Sequence, residues 1–164
     1  MNKKIVITAM ALIVIISSFA FTILKKEQDF IRPAEGNVTN TYGHLLSKFH
    51  HAIDIGPMDM DNPNVPIVAT ADGIVTRSYF SKSYGNVVYI QHEIKGKRYE
   101  SVYAHMDSRN VEKGTKVKQG QVIGIMGSTG QSNVTHLHFE LHKDKWTIQK
   151  ENSLNPMSFI AFEN

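Results

Sequence analysis

Three of the eight histidines in this chain lie within the eight residues "THLHFELH", Thr135 to His142. Read as a strand, the segment sends His136 and His138 to one face and Leu137 and Phe139 to the other, which sets the two imidazoles about 6–7 Å apart. Such a pair can bind one metal ion together, or one can bind while its neighbour works beside it. His-x-His alone is equally served by two polar residues facing solvent. Upstream, "FHHAIDIG" (Phe49 to Gly56) places His50 and Asp54 four residues apart, on one face of an extended chain past the small Ala52. Asp54 stands between Ile53 and Ile55, where an unpaired carboxylate is costly and a nearby cation relieves the cost. Catalytic zinc takes three protein ligands, usually histidines with one carboxylate, and keeps one position open. His50, Asp54 and His138 supply such a set. His105 ends the strand-like run "VYAHM" and gains meaning only in their company. The chain has no cysteine, which excludes disulfides and thiolate metal sites.

The elements that must position these residues are short. After about Pro33 the chain runs in β-branched and apolar pieces such as "VPIVAT", "GIVTRSYF", "NVVYIQH" and "RYESVYAH", cut by Asp-Gly, Tyr-Gly-Asn, Lys-Gly and Gly-Ser-Thr-Gly. These are strand and turn signals, and the expected fold is all-β: a single antiparallel sheet domain. One helical turn is expected near "NPMSFI".

Residues Ile5 to Leu24 are a run of twenty without a charge, between Lys3-Lys4 and Lys25-Lys26. About twenty apolar residues span the hydrocarbon core of a bilayer. "SSFA" offers a signal-peptidase site, but the apolar run continues past it, so the segment reads as an uncleaved N-terminal transmembrane helix rather than a cleaved leader. The expected organisation is a membrane anchor or signal segment at 1–26, a linker at 27–36, the main domain at 37–146 and a C-terminal tail at 147–164 packed on it. A net charge of +3 implies no strong electrostatic partner, and no basic stripe with interleaved aromatics points to nucleic acid.

Together "FHHAIDIG", "VPIVATADGIV", "YGNVVYIQH", "YAHM", "VKQGQVIGIMGSTG" and "THLHFE" stand in the order of the M23 peptidase family, the lysostaphin-type zinc endopeptidases of bacterial peptidoglycan. The resemblance covers about Val38 to Leu141. It implies that His50, Asp54 and His138 ligate one Zn2+, that His105 and His136 are the catalytic histidines, and that the sheet forms the floor of a groove for peptidoglycan peptides. It further implies an extracytoplasmic location, anchored to the cytoplasmic membrane or secreted to the wall. The spacing alone does not divide the labour between His136 and His138; the resemblance does.

Ala52 stands where the family commonly has glycine, "PMDMDNPN" lengthens the connection before Val65, and His44 replaces a frequent arginine. Glu140 is expected to be structural, His51 and His92 bystanders, and His142 solvated. Two other readings are a noncatalytic scaffold or activator of another wall hydrolase, and a biotinyl- or lipoyl-type carrier suggested by "VEKGTKVKQGQVIGIMGSTG". The retained five-residue set argues against the first, and the lack of a lysine framed on a hairpin argues against the second.

Overall fold

The computed structural model describes residues 28–45 and 48–162. The expected N-terminal membrane helix lies outside these residues; among those described, no helix is long and apolar enough to cross a membrane. Among the described residues thirteen strands follow one another: β1 (Asn37–Asn40), β2 (Gly43–Leu45), β3 (Lys48–His50), β4 (Ile53–Gly56), β5 (Pro66–Val68), β6 (Gly73–Ser81), β7 (Gly85–Ile94), β8 (Lys97–Met106), β9 (Ser108–Arg109), β10 (Lys116–Val117), β11 (Val122–Ile125), β12 (Leu137–Lys143) and β13 (Ser153–Leu154). The helical turn near "NPMSFI" is a 3-10 turn at Pro156–Ser158, its first turn capped by the Asn155 side chain, which accepts from Met157 N at 3.0 Å.

All pairing is antiparallel, as expected, but the expectation of one sheet is corrected. The strands divide into an eight-stranded sheet ordered β1-β4-β12-β8-β7-β6-β10 with β13 on β12, a three-stranded sheet β5-β11-β9, and the hairpin β2-β3. The division follows pairing partners: β11 takes β5 and β9 on its two sides and none of the large-sheet strands. Strands β6, β7 and β8, with nine or ten residues, are the longest of the main sheet, and the small sheet packs Ile67 and Ile123 into the same core. A β7–β8 hairpin forms through Lys95 (φ +52°) and Gly96 (φ +71°), two consecutive left-handed residues of the kind that match the twist of tight hairpins.

The main core lies on one face of the large sheet. Ile53 and Ile55 from β4, Val88 and Ile90 from β7, Tyr103 from β8, and Leu137, Phe139 and Leu141 from β12 point into it, with Ile67 and Ile123 from the smaller sheet. Alternation then sends Asp54, Ala104, His138, Glu140 and His142 to the opposite face. Phe30 and Ala34, in the segment expected as a linker, are buried in the core. Phe30 makes edge contacts with His92, Tyr99 and Phe159. Beyond β12 the tail contributes the buried Ile160.

Candidate functional site

Strand β12 lies between β4 and β8, and His138 is directly opposite Asp54 on one side and Ala104 on the other. This register brings residues from distant parts of the chain onto one patch of the sheet. His50 ends β3 in the small hairpin, and the fully buried Ala52 marks the change into β4. His50 and Asp54 therefore meet, as expected, but from two strands of different sheets rather than from one extended face. Donor atoms of His50, Asp54 and His138 all lie within 4.8 Å of one another. Around Asp54 Oδ1 stand His138 Nδ1 at 2.9 Å, His50 Nε2 at 3.4 Å and His136 Nε2 at 3.9 Å.

His105 reaches the same patch by a device that strict alternation does not show. Between β7 and β8 the register slips at Asn86↔Met106 and Val88↔Tyr103, so that Ala104 and His105 share the place of one residue. His105 takes φ +62°. A bulge of this kind re-aims a side chain, and a left-handed non-glycine residue costs about 1–3 kcal/mol that the surroundings must hold in place. They do so through His105 N, which donates to Tyr84 O at 2.8 Å, and through Nδ1, which donates to Thr129 O at 2.8 Å. The ring centroid lies 4.9 Å from that of His136 and 5.7 Å from that of His138. His136 itself precedes β12 and is pinned by its N–H donating to Gly127 O at 3.0 Å.

In His50 and His136 one nitrogen is committed to a group that only accepts, which fixes the neutral tautomer, whereas His138 has an accepting carboxylate on each nitrogen. His50 Nδ1 faces Thr41 O at 3.1 Å, His136 Nδ1 faces Val134 O at 2.9 Å, and His138 Nε2 faces Glu140 Oε1 at 3.0 Å. The remaining nitrogens are turned toward Asp54. With its Nε2–H given to Glu140, neutral His138 turns the lone pair of Nδ1 toward a carboxylate oxygen 2.9 Å away. That arrangement requires a proton or a cation between them. Two imidazoles and one carboxylate without sulfur fit zinc, with His138 backed by a carboxylate in the manner of zinc-ligating histidines.

Burial pushes the Asp54 carboxyl up, but hydrogen bonds from His138 and His50 outweigh it and hold it well below the usual carboxylate range. Burial lowers the His138 imidazole, yet its bonds to Asp54 and Glu140 outweigh this and raise it. His105 is pulled down to about 4 by burial and by neighbouring His138 and His136, so it is neutral near pH 7.

His142, expected to be solvated, is fully buried, with Nε2 2.7 Å from Glu140 Oε2. β13 pairs with β12 at His142↔Ser153, so a position that a lone strand would expose is enclosed. Glu140 is also fully buried, and Tyr84 and Lys150 bond its Oε1. His92 is buried and bonds Asp72 O and Ser101 Oγ away from the site, and His51 bonds Ser153 Oγ. His44 packs edge-on to Phe49 in the small hairpin. Sequence reasoning missed Asn40, whose amide donates to Asp54 Oδ2 at 2.8 Å, and also Thr129, Tyr84 and Lys150. None has a spacing signal of its own, although Thr129 lies in the Gly-Ser-Thr-Gly turn.

The profile of peptidase family M23 matches residues 48–156. The chain is 40% identical over 89 residues to the peptidoglycan DD-endopeptidase ShyC of Vibrio cholerae, covering 51% of this chain and 20% of that protein. It is 37% identical over 129 residues to the murein hydrolase activator NlpD of Escherichia coli, covering 78% of this chain and 30% of that protein. The chain thus spans less than a third of the length of these curated relatives. The catalytic domain of the antimicrobial peptidase lysostaphin from Staphylococcus simulans superposes with a TM-score of 0.60 at 28% identity, covering 76% of this chain and 89% of that one. A family match across most of the described domain, arriving on a site that joins both ends of that match in one patch, shows that the chain belongs to peptidase family M23.

Proposed function

We propose that the protein is a zinc-dependent endopeptidase that hydrolyses peptide bonds in the stem or cross-bridge of bacterial peptidoglycan. The observation that supports this best is the convergence of His50, Asp54 and His138 beside two further imidazoles, His105 and His136. Bound by the first three residues, zinc supplies a Lewis acid and brings the pKa of its water toward ~7. His105 and His136 are set for proton transfer, because each gives its Nδ1–H to a backbone carbonyl and keeps the Nε2 lone pair free. One accepts the proton of the attacking water as the carbon–oxygen bond forms. The protonated imidazole is then a donor for the tetrahedral oxyanion and for the departing amine as the carbon–nitrogen bond breaks. Protonation is resisted at His105 by burial, so the base is present in its working form at neutral pH. The apolar run at Ile5 to Leu24 would hold this domain outside the cytoplasmic membrane, next to its polymer substrate.

A second reading follows from the murein hydrolase activator matched over 78% of this chain: a scaffold that stimulates another hydrolase without cutting. Incubating the purified chain with peptidoglycan and identifying new peptide termini by mass spectrometry decides between them. New amine termini that vanish in His105→Ala support the peptidase. Intact peptides from a zinc-loaded protein, with His105→Ala indistinguishable from the parent, would leave the scaffold.

A further inference from the structure

The geometry points to Lys150 as a positioning residue for the metal site, acting through Glu140 on the proposed ligand His138. The inference rests on the zinc reading above.

Glu140 has no exposure to solvent, and its two oxygens take four donors. His142 Nε2 lies 2.7 Å from Oε2; His138 Nε2 at 3.0 Å, Tyr84 Oη at 2.5 Å and Lys150 Nζ at 2.7 Å share Oε1. Of these four groups only the lysine is a cation at neutral pH without needing an added proton. A fully buried carboxylate without a counter-charge is strongly destabilised, so the ammonium is what lets a charged acceptor stay behind His138. The same oxygen receives both Lys150 and His138, so the place of one fixes the acceptor for the other.

The chain spends structure on delivering this lysine. Lys150 lies beyond β12, in the tail segment, and takes a left-handed φ of +55°, unfavourable for a side chain this long. A closed turn holds it there: Lys150 N donates to Thr147 O at 3.1 Å, Ser153 N donates to Lys150 O at 3.0 Å, and Lys143 N donates to Asn152 O at 2.9 Å. β13 then pairs back onto β12 at Leu141↔Leu154 and His142↔Ser153. Nζ passes 5.2 Å from the centre of the Tyr84 ring, whose hydroxyl is the other donor to Oε1. The tail is therefore a latch that reaches the site face of the sheet and sets the orientation of His138 from its far nitrogen, leaving Nδ1 directed at Asp54. Groups standing behind a metal-ligating histidine commonly change affinity by about 10- to 100-fold when removed.

The test is zinc affinity, measured on the full chain in detergent by competition with a chromophoric chelator, for the parent and for Lys150→Met, Lys150→Arg, Glu140→Gln and the double variant Lys150→Met/Glu140→Gln. The expected result is a loss of about tenfold or more in Lys150→Met, affinity close to the parent in Lys150→Arg, and a double variant no weaker than Glu140→Gln alone. Those outcomes separate action through Glu140 from general loosening, which would make the two losses multiply. Should Lys150→Met fold poorly, Lys150→Gln keeps a donor of similar length without the charge and is expected to lose affinity likewise. Parental affinity in both neutral variants, or multiplying losses in the double variant, would overturn the inference and leave the peptidase reading standing. Absence of zinc binding by the parent chain would overturn both.

Discussion

His105 and His138 stand 5.7 Å apart by ring centroid, yet their surroundings differ, and the proposed function gives them different work. His138 has Asp54 on one nitrogen and Glu140 on the other, so both its faces are tied into the donor set. His105 is tied only at Nδ1, by Thr129 O. His138→Ala is therefore expected to lose both bound zinc and peptide cleavage. His105→Ala should keep about one zinc while turnover falls about 100- to 10,000-fold, the usual range for a removed acid–base group. Zinc content by elemental analysis beside cleavage rates checks the pair; loss of metal from both variants would mean that the roles are divided wrongly. The histidine pair and the Asp54 set were legible in the residues because alternation and the cost of a buried acid are local arguments. Glu140 and Lys150 were not, because what makes them matter is a shared oxygen between segments ten residues apart.

At the scale of elements, the site depends on a loop-to-strand contact more than on any one strand. Gly85, at the start of β7, has φ +62°, and a Cβ there would overlap the Thr129 hydroxyl and carbonyl. That carbonyl is the acceptor that fixes His105, and the Thr129 hydroxyl receives Asn86 N at 3.0 Å and donates to Met106 O at 2.6 Å. Gly85→Ala should therefore push the Gly-Ser-Thr-Gly turn away from the bulge and lower turnover about 100-fold, the scale of an ångström misplacement, while zinc content stays near that of the parent. Steady-state cleavage with parallel metal analysis tests it; an unchanged rate would show that the turn does not orient His105. The turn itself was readable from glycine and serine, and its partner was not, since a turn signal says where the chain reverses and nothing about what it reverses against.

For the whole molecule, Phe30 shows that the folded unit extends upstream of the first strand. It is 2% exposed and meets His92, Tyr99 and Phe159 edge-on. Phe30→Ala is expected to cost about 3–5 kcal/mol of stability, read from urea or guanidinium unfolding; a cost below 1 kcal/mol would mean that this segment only rests on the surface. His92 links the same region to pH. Burial pulls its imidazole below the ordinary value of about 6.5, so on acidification the unfolded chain takes up the proton first. The stabilisation is complete above about pH 6.5 and is lost as pH falls from there through the lower folded value. His92→Gln, with no proton to gain, is expected to show a shallower loss of stability between pH 6.5 and 5 than the parent. Equal slopes would place the acid sensitivity elsewhere.

The residues alone determined the strand-rich class, the antiparallel pairing, and the histidines and aspartate that can carry zinc chemistry. Those properties follow from side-chain volume, alternation and donor type, which are written position by position. Only the tertiary structure decided that the strands part into three sheets, that His142 is enclosed, that His105 enters the site through a left-handed bulge, and that Phe30 belongs to the core. Each of these depends on which distant segment fills the space beside a residue. A strand specifies which faces it presents; what covers them is set by the lengths and registers of its neighbours, and here those neighbours place His50, Asp54, His105, His136 and His138 on one patch.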